Sequence, residues 1–201
     1  KVIYGTSNLT IKKLAFAAPD AVKNYKEVMS AYSDKNAAVS DEIIIEAEKP
    51  IRKNAVSLVA KSDINSPKVT PADSALDLCN IIGGSSWKTP NETITWEFNA
   101  PSDGIYKIGM VCKQDLNMNF YSYRTLKIDG KIPFSECSAL KFGYDVDWQT
   151  EILSDDSGEP YLFYLTAGKH EISLSVTLGD LSKIYSELNA VCNELGNLYL
   201  D

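Results

Sequence analysis

The sequence predicts a mainly β protein: a β-sandwich or jelly roll with one helix before it and a long helix after it. Three observations carry this. Between residues 41 and 178, short apolar runs are separated by turn signals every 8–15 residues. Within residues 147–176 (DWQTEILSDDSGEPYLFYLTAGKHEISLSV), a tryptophan in a polar loop precedes a Gly-Glu-Pro turn, an apolar strand and a turn at Gly168-Lys169-His170. A strand then alternates Ile172, Leu174 and Val176 with Ser173 and Ser175, so the segment reads as two strands joined by a glycine turn. After Gly179 the apolar period changes from two to alternating three and four, which is a helical spacing.

The elements follow in order. Residues 1–40 form an N-terminal extension in which Leu9–Ile11 is a short strand candidate. Pro19 and Asp20 open a helix with Val22, Tyr25, Val28, Met29 and Tyr32 at three- and four-residue spacing, and the polar run Ser33–Ser40 ends it. The β body covers residues 41–178. It starts at Asp41–Glu48 and continues through 54–60, after which Ser62–Ser74 is turn-rich. Thr93–Phe98 alternates Ile94, Trp96 and Phe98 with Thr95 and Glu97, and Pro101–Gly104 is a turn. Ile105–Val111 and Tyr123–Ile128 are strands, the second closing at Asp129-Gly130, a dipeptide that favours tight hairpins. Tyr161–Leu165 and Glu171–Leu178 complete the body. Residues 179–201 form an amphipathic helix, with Asp180 at its N-cap and a narrow stripe of Leu181, Ile184, Tyr185, Leu188, Val191, Cys192, Leu195 and Leu198. The stripe is expected to pack on the sandwich or on the first helix; its alternative is a seam for a partner or neighbouring domain.

The 201 residues are 44% hydrophobic and 10% aromatic, enough for one substantial core and marginal for two. A net charge of −7, without clustered Lys or Arg, argues against nucleic acid as a partner. No apolar run approaches the roughly 18 residues of a membrane span, so no direct membrane insertion is expected. The chain starts at Lys1 and reads as a piece of a longer protein. Cys79, Cys112, Cys137 and Cys192 are far apart, with no C-x-x-C pair, which disfavours zinc. Free buried thiols are expected, with a single disulfide as the alternative.

Once the strands are placed, three stretches resemble the galactose-binding-like sandwiches of carbohydrate-binding modules, especially families 6 and 35. These are Ile45-Glu46-Ala47-Glu48, then Trp96-Glu-Phe98 with Pro101-Ser-Asp-Gly-Ile-Tyr106, and Trp148-Gln-Thr150 continuing to Leu165-Thr-Ala-Gly-Lys-His170. Three others, Arg124–Phe134, Gly158–Leu165 and Val176–Asp180, are similar to a module of extracellular solute-binding proteins of sugar ABC transporters in Gram-positive bacteria. The likeness covers about residues 40–200. It implies a galactose-binding-like jelly roll that binds oligo- or polysaccharide, acts outside the cell within a larger surface protein, and contacts other domains of its own polypeptide. Two departures stand out. Those families end in a strand bearing a ligand Asn and a calcium-binding Asp, where this chain has a helix, and their ligand loop pairs two aromatics where only Trp148 is placed here.

Pyranose rings present an apolar face of C–H bonds and a rim of hydroxyls, so an aromatic ring flanked by polar groups suits them. Trp148 beside Asp147 and Gln149 is the first candidate, the alternative being a ring folded back to cap the sandwich end. Trp87, in the flexible Gly83–Pro90 segment, is the second platform. Asn119 and Tyr121 belong to the amide- and aromatic-rich Gln114–Tyr123 loop, which suits sugar recognition and an ordinary wet loop equally, and Arg124 is available to an acidic sugar or a neighbouring carboxylate. Glu46 and Glu48 are two apart on an expected strand and so share a face. By the resemblance they form half of an oxygen-rich site for one structural Ca2+, the alternative being a salt-bridged edge. The acidic run Asp145, Asp147, Glu151, Asp155, Asp156 and Glu159 fails the EF-hand spacing and reads as a solvated loop. His170 is the sole histidine, no nucleophile or phosphate-loop motif accompanies it, and the chain reads as non-enzymatic.

Overall fold

The structure, a computed structural model, describes residues 12–13, 21–32, 42–63, 66, 68–69 and 79–200. The fold is mainly β, with a short helix α1 (Tyr25–Ser30) near the start and a long helix α2 (Leu181–Leu200) at the end. The strands are β1 (Arg52–Lys53), β2 (Ala60–Lys61), β3 (Ile81–Ile82), β4 (Thr93–Ala100), β5 (Gly104–Tyr106), β6 (Gly109–Gln114), β7 (Ser122–Ile128), β8 (Leu140–Phe142), β9 (Asp145–Ile152), β10 (Phe163–Leu165) and β11 (Gly168–Thr177). The main sheet is antiparallel in the order β1-β4-β11-β7-β8, and β6 pairs with β9, β5 with β10 and β2 with β3.

Alternation determines which face of the main sheet is buried. Ile172 lies between Trp96 and Ile128 in register, and Leu174 between Ile94 and Leu126. All but Ile128 are buried, and they join Leu58, Phe134, Cys137, Leu153, Tyr161 and Phe163 in a single core. The turn after β7 is the tight one its Asp-Gly dipeptide favours. Asp129 (φ 50°) and Gly130 (φ 76°) are both left-handed, and Lys131 N donates to Ile128 O at 3.0 Å.

Several elements differ from the sequence expectation. The helix starts at Tyr25 rather than Pro19, because Asn24 and Glu27 form a reciprocal capping box and residues 21–24 are not helical. Residues 42–48 are not a strand: Lys49 N donates to Glu46 O in a turn, so Glu46 and Glu48 do not share a strand face. Of 54–60, only Ala60 lies in a strand. The Ile105–Val111 run divides at Lys107-Ile108, its halves pairing with β10 and β9. Trp148 lies within β9, not in a loop. Strands β10 and β11 are not a hairpin; the chain crosses between sheets at Thr166-Ala167, where Ala167 N donates to Asp103 Oδ1 at 2.6 Å. Leu9–Ile11 and Ser33–Ser40 lie outside the described residues.

All four cysteines are free, but only Cys137 is buried and Cys112 half-buried; Cys79 and Cys192 are exposed. Burial pushes both the Cys112 and Cys137 thiols up to about 12, which keeps them protonated and inert. Helix α2 gives the largest correction. Every described side chain from 181 to 197 is exposed, with Ile184 at 61% and Leu188 at 58%, so the stripe from Leu181 to Leu195 packs on neither the sandwich nor α1.

His170 fastens the crossing to the β7 turn. Its Nδ1 is 2.7 Å from Asp129 Oδ2 and its Nε2 2.8 Å from Thr166 O. Both partners are acceptors, so the ring satisfies both only as an imidazolium. Burial works against that charge, but the bonds to Asp129 and Thr166 outweigh it, and the His170 pKa lies above its ordinary value. A raised folded-state pKa gives stability that is full below the unfolded value, about 6.5, and is lost as pH rises through the folded value. The melting temperature is therefore expected to fall as pH is raised through that window. A His170→Gln variant should show a flatter profile there, and an equal slope in both proteins would refute the assignment.

Candidate ligand-binding cleft

A cleft of about 1860 Å3 runs between the inner face of the main sheet and the β6–β9 pair. Trp96, Phe98, Ile172, Leu174 and Val176 form one apolar wall, and Met110, Cys112, Gln149 and Glu151 lie across from it. Burial raises the Glu151 carboxyl above its ordinary range. Five of the ligand-binding candidates meet here: Trp87, Tyr121, Arg124, Trp148 and Gln149 line the cleft. Asp147 and Asn119 are exposed and do not line it.

Trp148 is half-buried and held on several sides. Its Nε1 donates to Asp63 Oδ2 at 2.9 Å, and its carbonyl accepts from Lys68 Nζ at 2.7 Å. Lys113 Nζ lies over the ring, 5.4 Å from the centroid, and pairs with Asp63 at 3.8 Å and Asp115 at 3.3 Å. Trp87 ends the 3-10 turn Gly84–Ser86, and its Nε1 donates to Glu92 O at 3.1 Å. Arg124 sits on the inner face opposite Val176, its guanidinium carbon 4.4 Å from the Trp87 ring centroid. That guanidinium donates to Ser122 Oγ, Tyr123 O and Trp87 O. Burial brings Arg124 down to about 10 while Glu92 opposes the shift, so the group stays cationic at neutral pH. Each tryptophan therefore carries a cation over one face, leaving at most the other for a ligand. Arg124 clamps Trp87 and also interacts with the nearby Glu92 carboxylate.

The loop after β6 offers more open rings. Gln114 organises it: Oε1 accepts from Leu116 N and Asn117 N, and Nε2 donates to Asn117 O and Phe120 O, all at 2.8–3.0 Å. The loop is thus ordered by its own side chain while presenting Phe120 (60% exposed) and Tyr121 (55%). The Tyr121 ring meets Tyr123 edge-on at 6.3 Å.

Glu46 and Glu48 also line the cleft. Glu48 Oε2 is buried without a hydrogen-bond partner, while Oε1 lies 3.5 Å from Lys49 Nζ. An orphaned carboxylate oxygen suits a cation, but Ca2+ takes six to eight oxygens. Among the described residues no group of three or more His, Cys, Asp or Glu gathers for a metal. In the acidic run, Asp145, Asp147 and Glu151 belong to β9, while Asp155 Oδ1 accepts from Ser157 and Glu159 in a local turn.

The sequence pointed to the tryptophans and to the Gln114–Tyr123 loop, but not to Asp63 or Lys113. Asp63 and Lys113 are 85 and 35 positions from Trp148, and nothing in their local pattern marks them.

No protein-family model matches the chain, and no curated protein matches it. Among solved structures, 75% of the chain is similar to a Paenibacillus sp. cycloisomaltooligosaccharide glucanotransferase complexed with cycloisomaltoheptaose, with TM-score 0.45 and 19% identity. A Podospora anserina GH26-CBM35 β-(1,4)-mannanase is similar over 69% of the chain (TM-score 0.42, 13% identity). A family 35 carbohydrate-binding module from an environmental isolate is similar over 63% (TM-score 0.37, 17% identity). The chain spans 20% and 25% of the length of the two enzymes and 80% of the module.

Proposed function

We propose that this chain is a non-catalytic carbohydrate-binding sandwich that holds a glycan along the cleft between the main sheet and β6–β9. The observation that carries this reading is one cleft lined by both aromatic rings (Trp87, Tyr121, Trp148) and polar groups (Asp63, Asn80, Gln149). Rings meet the C–H faces of pyranoses and polar groups meet their hydroxyls. The buried, unpartnered Glu48 Oε2 is an acceptor that a sugar hydroxyl would satisfy. Tyr121 is the open stacking ring, and Trp148 offers the face that Lys113 leaves free. Through the likeness to solute-binding proteins, the module acts outside the cell, within a larger surface protein linked to sugar uptake.

Affinity at such a shallow site should lie on the order of micromolar to millimolar. Calorimetry against a panel including β-1,4-mannooligosaccharides and cyclic glucans should detect binding that Trp148→Ala and Tyr121→Ala each weaken at least tenfold. Tyr121 is exposed, so its loss leaves the fold intact even if Trp148→Ala disturbs Asp63. A panel without any binder, or unchanged affinity in both variants, would overturn the proposal.

One observation favours a second reading, an interaction module: the exposed apolar stripe of α2.

A further inference from the structure

We infer that the glycan held in the cleft is cationic: Glu48 takes the ammonium group of a 2-amino sugar unit. This rests on the carbohydrate reading above and names the class of sugar. The turn that carries Glu48 is pinned to the main sheet, where Ala47 O accepts from Trp96 Nε1 at 2.8 Å. The Glu48 side chain is only 5% exposed, yet it lines the cleft and leaves Oε2 without a partner. Lys49, the cation beside it, is 73% exposed and reaches Oε1 at 3.5 Å, so solvent screens most of its attraction.

The other charges of the cleft point the same way. Its less exposed cations are engaged by the protein itself. Lys61 Nζ donates to Gly83 O and Ser86 Oγ at 3.2 and 3.4 Å, and Lys68 Nζ donates to Trp148 O. Lys113 pairs with Asp63 and Asp115, and Arg124 is held by its three acceptors. Lys88 and Lys107 also line the cleft but are exposed, where salt screens them. The carboxylates are less complete. Burial is the sole cause of the rise at Glu151, as for a carboxyl that no cation or donor compensates. A sugar hydroxyl would satisfy the free hydrogen-bonding capacity of Glu48 and leave its charge, whereas an ammonium answers both. An ammonium also asks less of the site than calcium does: three acceptors, which a carboxylate and two water or hydroxyl oxygens supply, against six to eight oxygens. The net charge of −7 draws a cationic chain toward the protein and disfavours an acidic one.

Calorimetry of the full chain at about pH 5.5, between the ordinary ranges of carboxylate and amine ionisation, compares β-1,4-linked oligomers of glucosamine and of glucose, which differ only at C2. The glucosamine oligomer should bind about tenfold tighter or more, the lower end for a close, desolvated charge pair. Glu48→Gln keeps the shape of the side chain and should bring that ratio below about threefold. Tyr121→Ala removes a stacking ring common to both sugars, so it should weaken both oligomers alike and preserve the ratio. A ratio near one in the unaltered protein, or a ratio that Glu48→Gln leaves intact, would overturn the inference; the carbohydrate reading stands if neutral glycans still bind. A glycan panel without any binder overturns both. Titration with calcium separates the remaining occupant: calcium binding that Glu48→Gln abolishes would give this carboxylate to the metal and overturn the inference as well.

Discussion

Replacing Phe134 by alanine should destabilise the protein by about 3–5 kcal/mol, the usual range for emptying a buried aromatic site. Phe134 is 1% exposed and packs against three rings, Tyr25 at 4.9 Å, Tyr161 at 5.0 Å and Phe163 at 5.4 Å. The loss reaches beyond that cavity. Tyr25 anchors α1 to the sandwich together with Val28: its ring packs on Phe134, its hydroxyl accepts from Leu162 N at 3.1 Å, and its amide donates to Glu136. Without the Phe134 ring, α1 keeps its capping box but loses the surface it rests on. For a chain of this size the loss corresponds to a melting temperature lower by about 6–20 °C. Phe134→Leu, which refills most of the volume, should recover more than half of it. Calorimetric scans of the two variants check both statements, and a Phe134→Ala shift under about 3 °C would contradict the packing described.

Gly179→Ala should be nearly as costly, for two reasons that can be separated. The residue lies at φ +53°, where a side chain costs about 1–2 kcal/mol. A Cβ there would sit 2.2 Å from Tyr123 Cδ1 and 2.4 Å from Cγ, the body of a buried ring on β7, and such overpacking adds about 1–3 kcal/mol. Asparagine tolerates the left-handed backbone but brings the same Cβ, so Gly179→Asn should rescue little. Adding Tyr123→Ala should make the Gly179→Ala step markedly cheaper, because the clash is gone and only the backbone cost remains. Denaturant titration of the four proteins yields the coupling, and a full rescue by Asn would show that backbone conformation alone matters.

Much of the sheet could be read from alternation. Strands β4 and β11 carry apolar residues at every second position because one face is buried, and they lie where the pattern predicts. Pairing was less legible. Tyr161–Leu165 and Glu171–Leu178 look like a hairpin, yet which partner each strand takes depends on Asp103 and on the His170–Asp129 bond, both distant in sequence. The site divides in the same way. Its aromatic residues stand out by type and flanking chemistry, while the cations covering Trp87 and Trp148 come from other strands and only the fold brings them there. The exposure of α2 could not be foreseen either, because a heptad stripe looks the same whether its own sandwich or another molecule is meant to cover it.

The position of β11 has a mechanical consequence. It is the middle strand of the five, matched over eight residue pairs to β4 and six to β7, and it leads directly into α2. A pull on α2 therefore runs along the central strand, and both ladders bear the load at once in shear. A sandwich tethered by an edge strand would instead peel open one bond at a time. Tension on the helix is thus shared between two ladders rather than falling on one.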